Sequence, residues 1–270
     1  MDGAGLSAQL PRIEVRGLSK SFKLGAATIE AVSGVSFSVA KGEFVALLGP
    51  SGCGKSTVLN MISTLLSPNG GEILIDGVRT LPNRANPQVG YVFQKDTLFP
   101  WRTVAENIGY GLELAGVPKA ERAERVATCI AQAGLRGFAD AYPATLSGGM
   151  RQRAALMRTL VVRPQILLMD EPFGALDTHT KIDMHQVLLE IWDREHQTVL
   201  FVTHDLSEAL TLADRIIMFS ARPGRIKEVF AVDLPRPRDA VTLREMPRYS
   251  ELFTHVWHSL GEEFIKGRAE

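Results

Sequence analysis

Three short stretches of this 270-residue chain carry groups that can handle phosphate. GPSGCGKST, Gly49 to Thr57, follows the apolar run EFVALLG and precedes the helical pattern TVLNMISTLL. In that strand-to-helix setting the pattern G-x-x-x-x-G-K-[ST] reads as a phosphate cradle. Gly49, Gly52 and Gly54 let the backbone amides of the loop, including those of Ser51, Cys53 and Thr57 beside Pro50, curl around phosphate oxygens where side chains would clash. Lys55 reaches the β and γ phosphates of a nucleotide as a compact cation, and the Ser56 hydroxyl is suited to ligate Mg²⁺.

A phosphate loop needs a partner that holds the metal and the attacking water. ILLMDEP supplies it: four apolar residues read as a buried strand, with Asp170 at its end for Mg²⁺ and Glu171 beyond it as general base. An isolated Asp-Glu pair at a strand end is ordinarily a solvated turn, and the phosphate loop is what changes that reading. Gln94 closes GYVFQ and His204 closes TVLFVTH, both where parallel α/β sheets present their ligand site. Each is a candidate sensor of the γ-phosphate, and Gln94 also of the metal. The third stretch, ATLSGGMRQRAALMRTL from Ala144 to Leu160, has no evident catalytic group. Its Ser-Gly-Gly turn runs into a helix, a geometry that offers free backbone amides to an anion.

The elements that must position these groups fall in a clear order. Strand patterns occur at IEVRGLSKSF, SGVSFSVA, EFVALLG, GEILIDG and QVGYVFQ, separated by glycine turns. From Val104 to about Leu160 the texture is helical, with AENIGYGLELAG and KAERAERVATCIAQAG carrying apolar residues at three and four spacing. Strands resume at QILLMD, TVLFVT and DRIIMFS, with the helical KIDMHQVLLEIWDREH between the first two. This order predicts an α/β core with an α-helical insert between its halves. We expect core from 13 to 93, the helical insert from 94 to 160, core again from 161 to 234 and a tail from 235 to 270. LPRPRD reads as a turn or linker opening that tail, and YSELFTHVWHSLGEEFI as an amphipathic helix within it.

Composition narrows the class. Lys plus Arg (30) equals Asp plus Glu (30), so the overall charge gives no sign of a nucleic-acid partner. Cys53 and Cys129 show no metal spacing, which fits a reducing compartment. The apolar runs fall far short of the roughly 20 residues needed to span a bilayer. The start, MDGAGLSAQLPRIEVRG, lacks the features of a signal peptide and reads as a loose lead-in.

Taken together, the phosphate loop, the glutamine of VFQ, LSGGM, ILLMDEP, the ALD of FGALD and the histidine of VTHD resemble the ATP-binding cassette ATPases, from about Ile13 to Asp233. The resemblance implies an α/β P-loop NTPase core with an antiparallel β region and an α-helical subdomain insert, which binds ATP and Mg²⁺. It also implies a head-to-tail dimer in which Ser147, Gly148 and Gly149 of one copy contact the γ-phosphate held by the other, while Asp177 communicates across the same interface. Phe22 stands where many relatives stack a tyrosine on adenine, for which a ring face suffices. Met150 replaces the usual glutamine and gives up an amide donor.

LSGGMRQR, FPWRTVAENI, EPFGALD and SARPGRIKEVFAVDLPRPRD resemble, more narrowly, the ATPases of nitrate, sulfonate and taurine importers. The expectation is an energy-coupling subunit, peripheral on the cytoplasmic face of the inner membrane. It would pair with a second ATPase subunit and with permease subunits, and indirectly with an extracytoplasmic solute-binding protein. A soluble ATPase of an assembly or regulatory complex would carry the same motifs. A DNA-repair ATPase would need a long coiled coil, for which the stretch from Gln94 to Ser147 is too short. Leu98, Phe99 and Trp101, beside Pro100, are expected on the surface that receives a helix of the permease. The competing reading is that Trp101 packs the insert against the core.

Overall fold

Half of the strands inferred above, those at FVALL, ILLMD, TVLFVT and RIIMF, have both faces covered. In the computed structural model, which describes residues 10–25 and 27–269 and leaves aside the side chains of 264 and 266–269, two sheets organise the chain. The first is antiparallel: β2 (Ala27–Val39), β1 (Ile13–Leu24), β4 (Gly70–Ile75) and β5 (Val78–Arg79), in that spatial order. The second has six strands in the order β10 (Ile226–Ala231), β9 (Arg215–Phe219), β3 (Phe44–Leu48), β8 (Thr198–Thr203), β7 (Ile166–Asp170) and β6 (Val89–Val92). All neighbours in it are parallel except β10, which returns antiparallel along β9.

The period of two along a strand explains the continuous apolar runs. Phe44, Ala46 and Leu48 of β3 pack into one core with Leu167, Met169, Val199 and Phe201, on the side covered by most of the helices. Val45 and Leu47 point the other way, with Leu168, Leu200 and Val202, into a core shared with the antiparallel sheet and with α1 (Lys55–Ile62). A strand buried on both faces has no polar side to show, so FVALL and ILLM read as unbroken hydrophobics.

Between β6 and β7 lies the helical region: α2 (Val104–Leu114), α3 (Lys119–Gln132) and α4 (Gly148–Leu160). A capping box starts α2, with the Thr103 side chain accepting from the Glu106 amide while Glu106 reaches back to the Thr103 amide. After β7 come α5 (Thr178–Glu195), β8, α6 (Leu206–Leu212), β9, β10 and the long α7 (Pro247–Ala269). Tyr249, Leu252, Val256 and Leu260 bury one face of α7 against the helical-side core, at the spacing of a helix stripe.

Several boundaries differ from the expectation. β2 starts at Ala27, six residues ahead of SGVSFSVA, because Thr28 and Ile29 pair with Lys23 and Phe22 in a hairpin with β1. α5 gains a first turn because Asp177 caps it, and α6, β5 and β10 were not anticipated as elements. The lead-in before the first strand lies outside the described residues as far as Gln9.

LPRPRD is irregular backbone, as a turn should be, but it is bolted to the core rather than spanning open space. Arg238 is 3% exposed and donates to the carbonyl oxygens of Ala213 (2.7 Å) and Val232 (3.2 Å). Burial lowers its pKa to about 10, with Arg236 adding to the fall. The Arg236 guanidinium lies 3.9 Å from the centroid of the Trp192 ring and bonds Asp214 at 2.8 Å.

Candidate functional site

Four of the parallel strands deliver their C-terminal ends to one edge of the six-stranded sheet, and Lys55, Ser56, Gln94, Asp170, Glu171 and His204 lie at or just past those ends. β3 runs into the glycine loop, which turns into α1 at Lys55. Gly54 has φ 101, and a Cβ there would lie 2.6 Å from the Ala31 carbonyl oxygen. A Cβ on Gly49 would lie 2.8 Å from the Phe219 carbonyl oxygen. The glycines are therefore needed for close approach to the neighbouring strands as well as for room around a phosphate.

Lys55 is 4% exposed, and its ammonium donates to the carbonyl oxygens of Gly49 (2.7 Å) and Pro50 (2.8 Å). It is held inside the loop by groups it can exchange for phosphate oxygens. Cys53 is buried beside it, and burial raises its thiol pKa, so it takes part in the loop through its backbone. The Ser56 hydroxyl donates to Asp170 Oδ1 at 2.7 Å, which joins the start of α1 to the end of β7. Burial raises the Asp170 pKa, partly offset by the Ser56 hydrogen bond. A carboxylate in that setting gains from a nearby cation.

Ser56, Asp170 and the Gln94 side chain together offer oxygen donors of the kind Mg²⁺ prefers. Among the described residues no cluster of three or more His, Cys, Asp or Glu can hold a metal by itself. A divalent ion here would be shared with the phosphates it accompanies.

Glu171 follows Asp170 in the left-handed region, with φ 45. For a residue with a side chain this costs on the order of 1–2 kcal/mol. Its amide donates to the Val202 carbonyl oxygen at 3.0 Å, so β8 holds the turn that aims the carboxylate away from the strand. Two predicted partners converge on it: Gln94 Nε2 donates to Glu171 Oε2 at 3.2 Å, and His204 Nδ1 stands 3.2 Å from the same oxygen. His204 comes directly after β8, whereas Gln94 lies two residues past the end of β6 rather than closing it.

Glu171 and Gln94 line a cleft of about 470 Å³ together with Phe22, Ser51, Lys55 and Ser56. That volume suits a nucleotide-sized ligand. Phe22 is 41% exposed, so it is not the core phenylalanine that its type alone would suggest. Arg222, which sequence reasoning passed over, also lines the cleft. The only signal for it was its place in SARPGRI.

Ser147, Gly148, Gly149 and Asp177 are not among the residues lining this cleft. Ser147 caps α4, its hydroxyl oxygen accepting from the Met150 amide at 3.2 Å, and remains exposed with Gly148. A Cβ on Gly149 would lie 3.3 Å from Leu176 Cδ2, which places the start of α4 beside the segment just before Asp177. Asp177 caps α5 through the Thr180 amide at 3.1 Å, and these bonds to Thr180 lower its pKa. The arrangement leaves an exposed helix N-terminus able to meet an anion that this copy does not hold.

On the helical region Trp101 is 71% exposed, with Phe99 5.6 Å away, centroid to centroid. It does not pack the insert against the core. Leu98 does the reverse of what was expected of it: 8% exposed, it belongs to the helical-side core and is no part of a surface patch. A groove of about 600 Å³ between α2 and α3 opens beside Trp101.

The family described as ABC transporter matches residues 32–174. An uncharacterized ABC transporter ATP-binding protein of Methanocaldococcus jannaschii is 47% identical over 255 residues, covering 94% of this chain and 93% of its own length. An aliphatic sulfonates import ATP-binding protein of Bacillus cereus is 40% identical over 256 residues, 94% of this chain and 96% of that one. A taurine import ATP-binding protein of Rhizobium johnstonii is 43% identical over 229 residues, 83% of this chain and 87% of that one. Among solved structures, a dimeric ATP-binding cassette in a post-hydrolysis state, bound to ADP and Pi, superposes with a TM-score of 0.74 at 34% identity. That match covers 82% of this chain and 98% of the other.

Proposed function

The chain belongs to the ABC transporter family and is one of its ATP-hydrolysing cassettes, and from that premise we propose that it drives a membrane importer of small sulfonate-like or related anionic solutes. The observation that carries the catalytic part is the convergence of Gln94 and His204 on Glu171 Oε2 at one end of the cleft that holds Lys55. In this reading Glu171 takes the proton of the attacking water, and His204 and Gln94 orient it and sense the γ-phosphate. Lys55 and the amides from Gly49 to Thr57 hold the phosphates, and Phe22 stacks on the adenine. Ser56, Asp170 and Gln94 would hold Mg²⁺, which would neutralise the negative charge that develops on the phosphates.

A second copy closes the cleft. Its Ser147, Gly148 and Gly149 present a hydroxyl, two amides and the α4 dipole to the γ-phosphate, and its Asp177 lies at the same seam. The exposed N-terminus of α4 supports this arrangement, as does the likeness to a dimeric cassette.

The importer reading is supported by the sulfonates and taurine import relatives. No helix among the described residues is long and apolar enough to cross a membrane, so a permease would supply the path, fed by an extracytoplasmic binding protein. The groove beside Trp101, on the cytoplasmic side, would receive a helix of that permease, with the indole as anchor. Reconstituting the chain with permease subunits that copurify with it, in vesicles supplied with ATP and Mg²⁺, tests the proposal. Uptake of taurine or an alkanesulfonate supports it, and uptake confined to an unrelated solute class overturns the assignment of the solute.

A further inference from the structure

The loop after β9, Ala221 to Gly224, touches the phosphate loop from outside at two successive carbonyl groups. Arg222 Nη2 donates to the Gly52 carbonyl oxygen at 3.1 Å, with Nε at 3.3 Å from the same atom. Gly224 lies so close under the next carbonyl that a Cβ there would sit 2.0 Å from Cys53 O. The direction of these contacts matters. A peptide of the loop that offers its N–H to a phosphate must turn its own C=O outward. Gly52, with φ 76 and no side chain, gives its peptide little resistance to turning over. A guanidinium bonded to its carbonyl from outside holds that peptide with its N–H, which is the Cys53 amide, on the inner side. That amide now reaches the Pro50 carbonyl oxygen at 3.4 Å, a long bond easily exchanged for a phosphate oxygen.

The same loop is tied to the sheet that carries Phe22. The Gly224 amide donates to the Ala31 carbonyl oxygen at 3.0 Å, and the Ser33 amide donates to the Gly224 carbonyl oxygen at 3.1 Å, both on β2. β2 pairs with β1 through Ile29 and Phe22. Four residues thus join the two walls of the cleft.

What holds the loop is a side chain on the last helix. Glu263, 2% exposed, accepts the Ala221 amide at Oε2 (2.9 Å) and pairs with Lys227 at Oε1 (3.2 Å). A buried carboxylate accepting a backbone amide is among the stronger hydrogen bonds in a protein. We propose that Glu263 of α7 and Arg222 act as positioning residues for the phosphate loop, so that the affinity of this cassette for nucleotide depends on its C-terminal helix being docked. The proposal rests on the reading of the glycine loop as the nucleotide site.

The experiment uses the full chain and Mg-ATP in equilibrium titration, with steady-state hydrolysis alongside. Lys55→Ala serves as reference: unchanged affinity in that variant would sink the nucleotide site itself, a failure distinct from that of the positioning role. Arg222→Ala is expected to weaken Mg-ATP binding about tenfold, the loss of one charge-assisted hydrogen bond. It should raise KM while leaving kcat at saturation within about twofold of wild type. Glu263→Ala should weaken binding to a similar extent. Glu263→Gln, whose amide oxygen still accepts from Ala221, should restore most of it. The pair Arg222→Ala/Glu263→Ala should be no weaker than either alone.

If Arg222 instead acts by touching the nucleotide directly, Glu263→Ala leaves affinity unchanged and the proposal fails. Should Glu263→Ala not fold, hydrogen exchange on the wild-type chain decides. Coupling is reciprocal, so Mg-ATP must slow exchange at the Ala221 amide and along the end of α7. No slowing there overturns the link.

Discussion

His204 Nδ1 and Glu171 Oε2 stand 3.2 Å apart, across the ends of the adjacent strands β8 and β7. The contact joins two groups far apart in sequence, and Gln94 Nε2 meets the same oxygen from the end of β6. Glu171→Gln keeps the size of the side chain and removes the base. Hydrolysis should fall by about 10²–10⁴-fold while ATP still binds. The ATP-loaded protein should then accumulate as a dimer in size-exclusion chromatography. Near-normal turnover would remove Glu171 from the base role.

His204→Ala and Phe22→Ala should separate chemistry from binding. In the proposed mechanism the imidazole orients the reacting groups, so its loss should lower kcat by about 10²-fold with a small change in KM. The Phe22 ring lines the far wall of the cleft, and its loss should raise KM about tenfold with kcat nearly intact. Equal losses of affinity in both variants would contradict this division.

Ser147 and Lys55 belong, in our reading, to different nucleotide sites of the dimer. Lys55→Ala should be inactive, and so should Ser147→Arg, although the latter should bind ATP normally as a monomer. Ser147 also caps α4, so its replacement should cost about 1 kcal/mol in stability as well. Mixing the two inactive variants should recover activity, because one site of each mixed dimer retains both residues. A Ser147→Arg monomer with impaired ATP affinity would argue that Ser147 serves the site of its own copy.

Trp101→Ala should leave stability within about 0.5 kcal/mol, as expected for a side chain this exposed. ATP binding should persist, while copurification with the permease and transport-coupled hydrolysis are lost. Assembly and transport at wild-type levels would end the docking role.

His185 gives the protein an acid-sensitive core. It is 1% exposed, stacked edge-on to Phe173 at 4.6 Å, with no hydrogen-bond partner for either ring nitrogen among the described residues. Burial lowers its pKa to about 3, with Lys181 and Arg244 acting in the same direction and Asp205 opposing them. Between pH 6.5 and about 3 the unfolded chain therefore binds a proton that the folded chain refuses, and stability falls as pH falls. From pH 6.5 to 5 this amounts to roughly 2 kcal/mol. Urea midpoints at several pH values should show that loss in the wild type and a flatter acid limb in His185→Gln. Identical slopes would mean that His185 takes up its proton in the folded state.

Much of the site was legible because its chemistry is written locally. Gly49 to Thr57 carries its own strand-to-helix setting, and ILLMDEP announces a buried strand with two acids at its end. Leu98 shows the limit of such reading. Its type is the same whether it faces solvent or core, and only the packing of α2 on α4 and of α4 on β6 decides which. Arg222 was invisible for a related reason, since its role is defined by the Gly52 carbonyl, which lies far away along the chain. Glu263 is the extreme case. An acidic residue near the end of an amphipathic helix looks solvated until the loop after β9 folds over it.

The arginine contacts in LPRPRD bear on how this chain tolerates cutting. To a protease the stretch offers, at an apparent domain border, Arg238 and, followed by Pro237 and so resistant to trypsin in any state, Arg236. One of those side chains is buried and the other is pressed flat on Trp192. The folded protein should therefore survive trypsin here while being cleaved at looser sites. Trimming the chain at residue 235 would not merely shorten it. It would uncover the carbonyl groups of Leu212, Ala213 and Val232 that the arginines now satisfy, and strip one side of α5 and α6 of their cover.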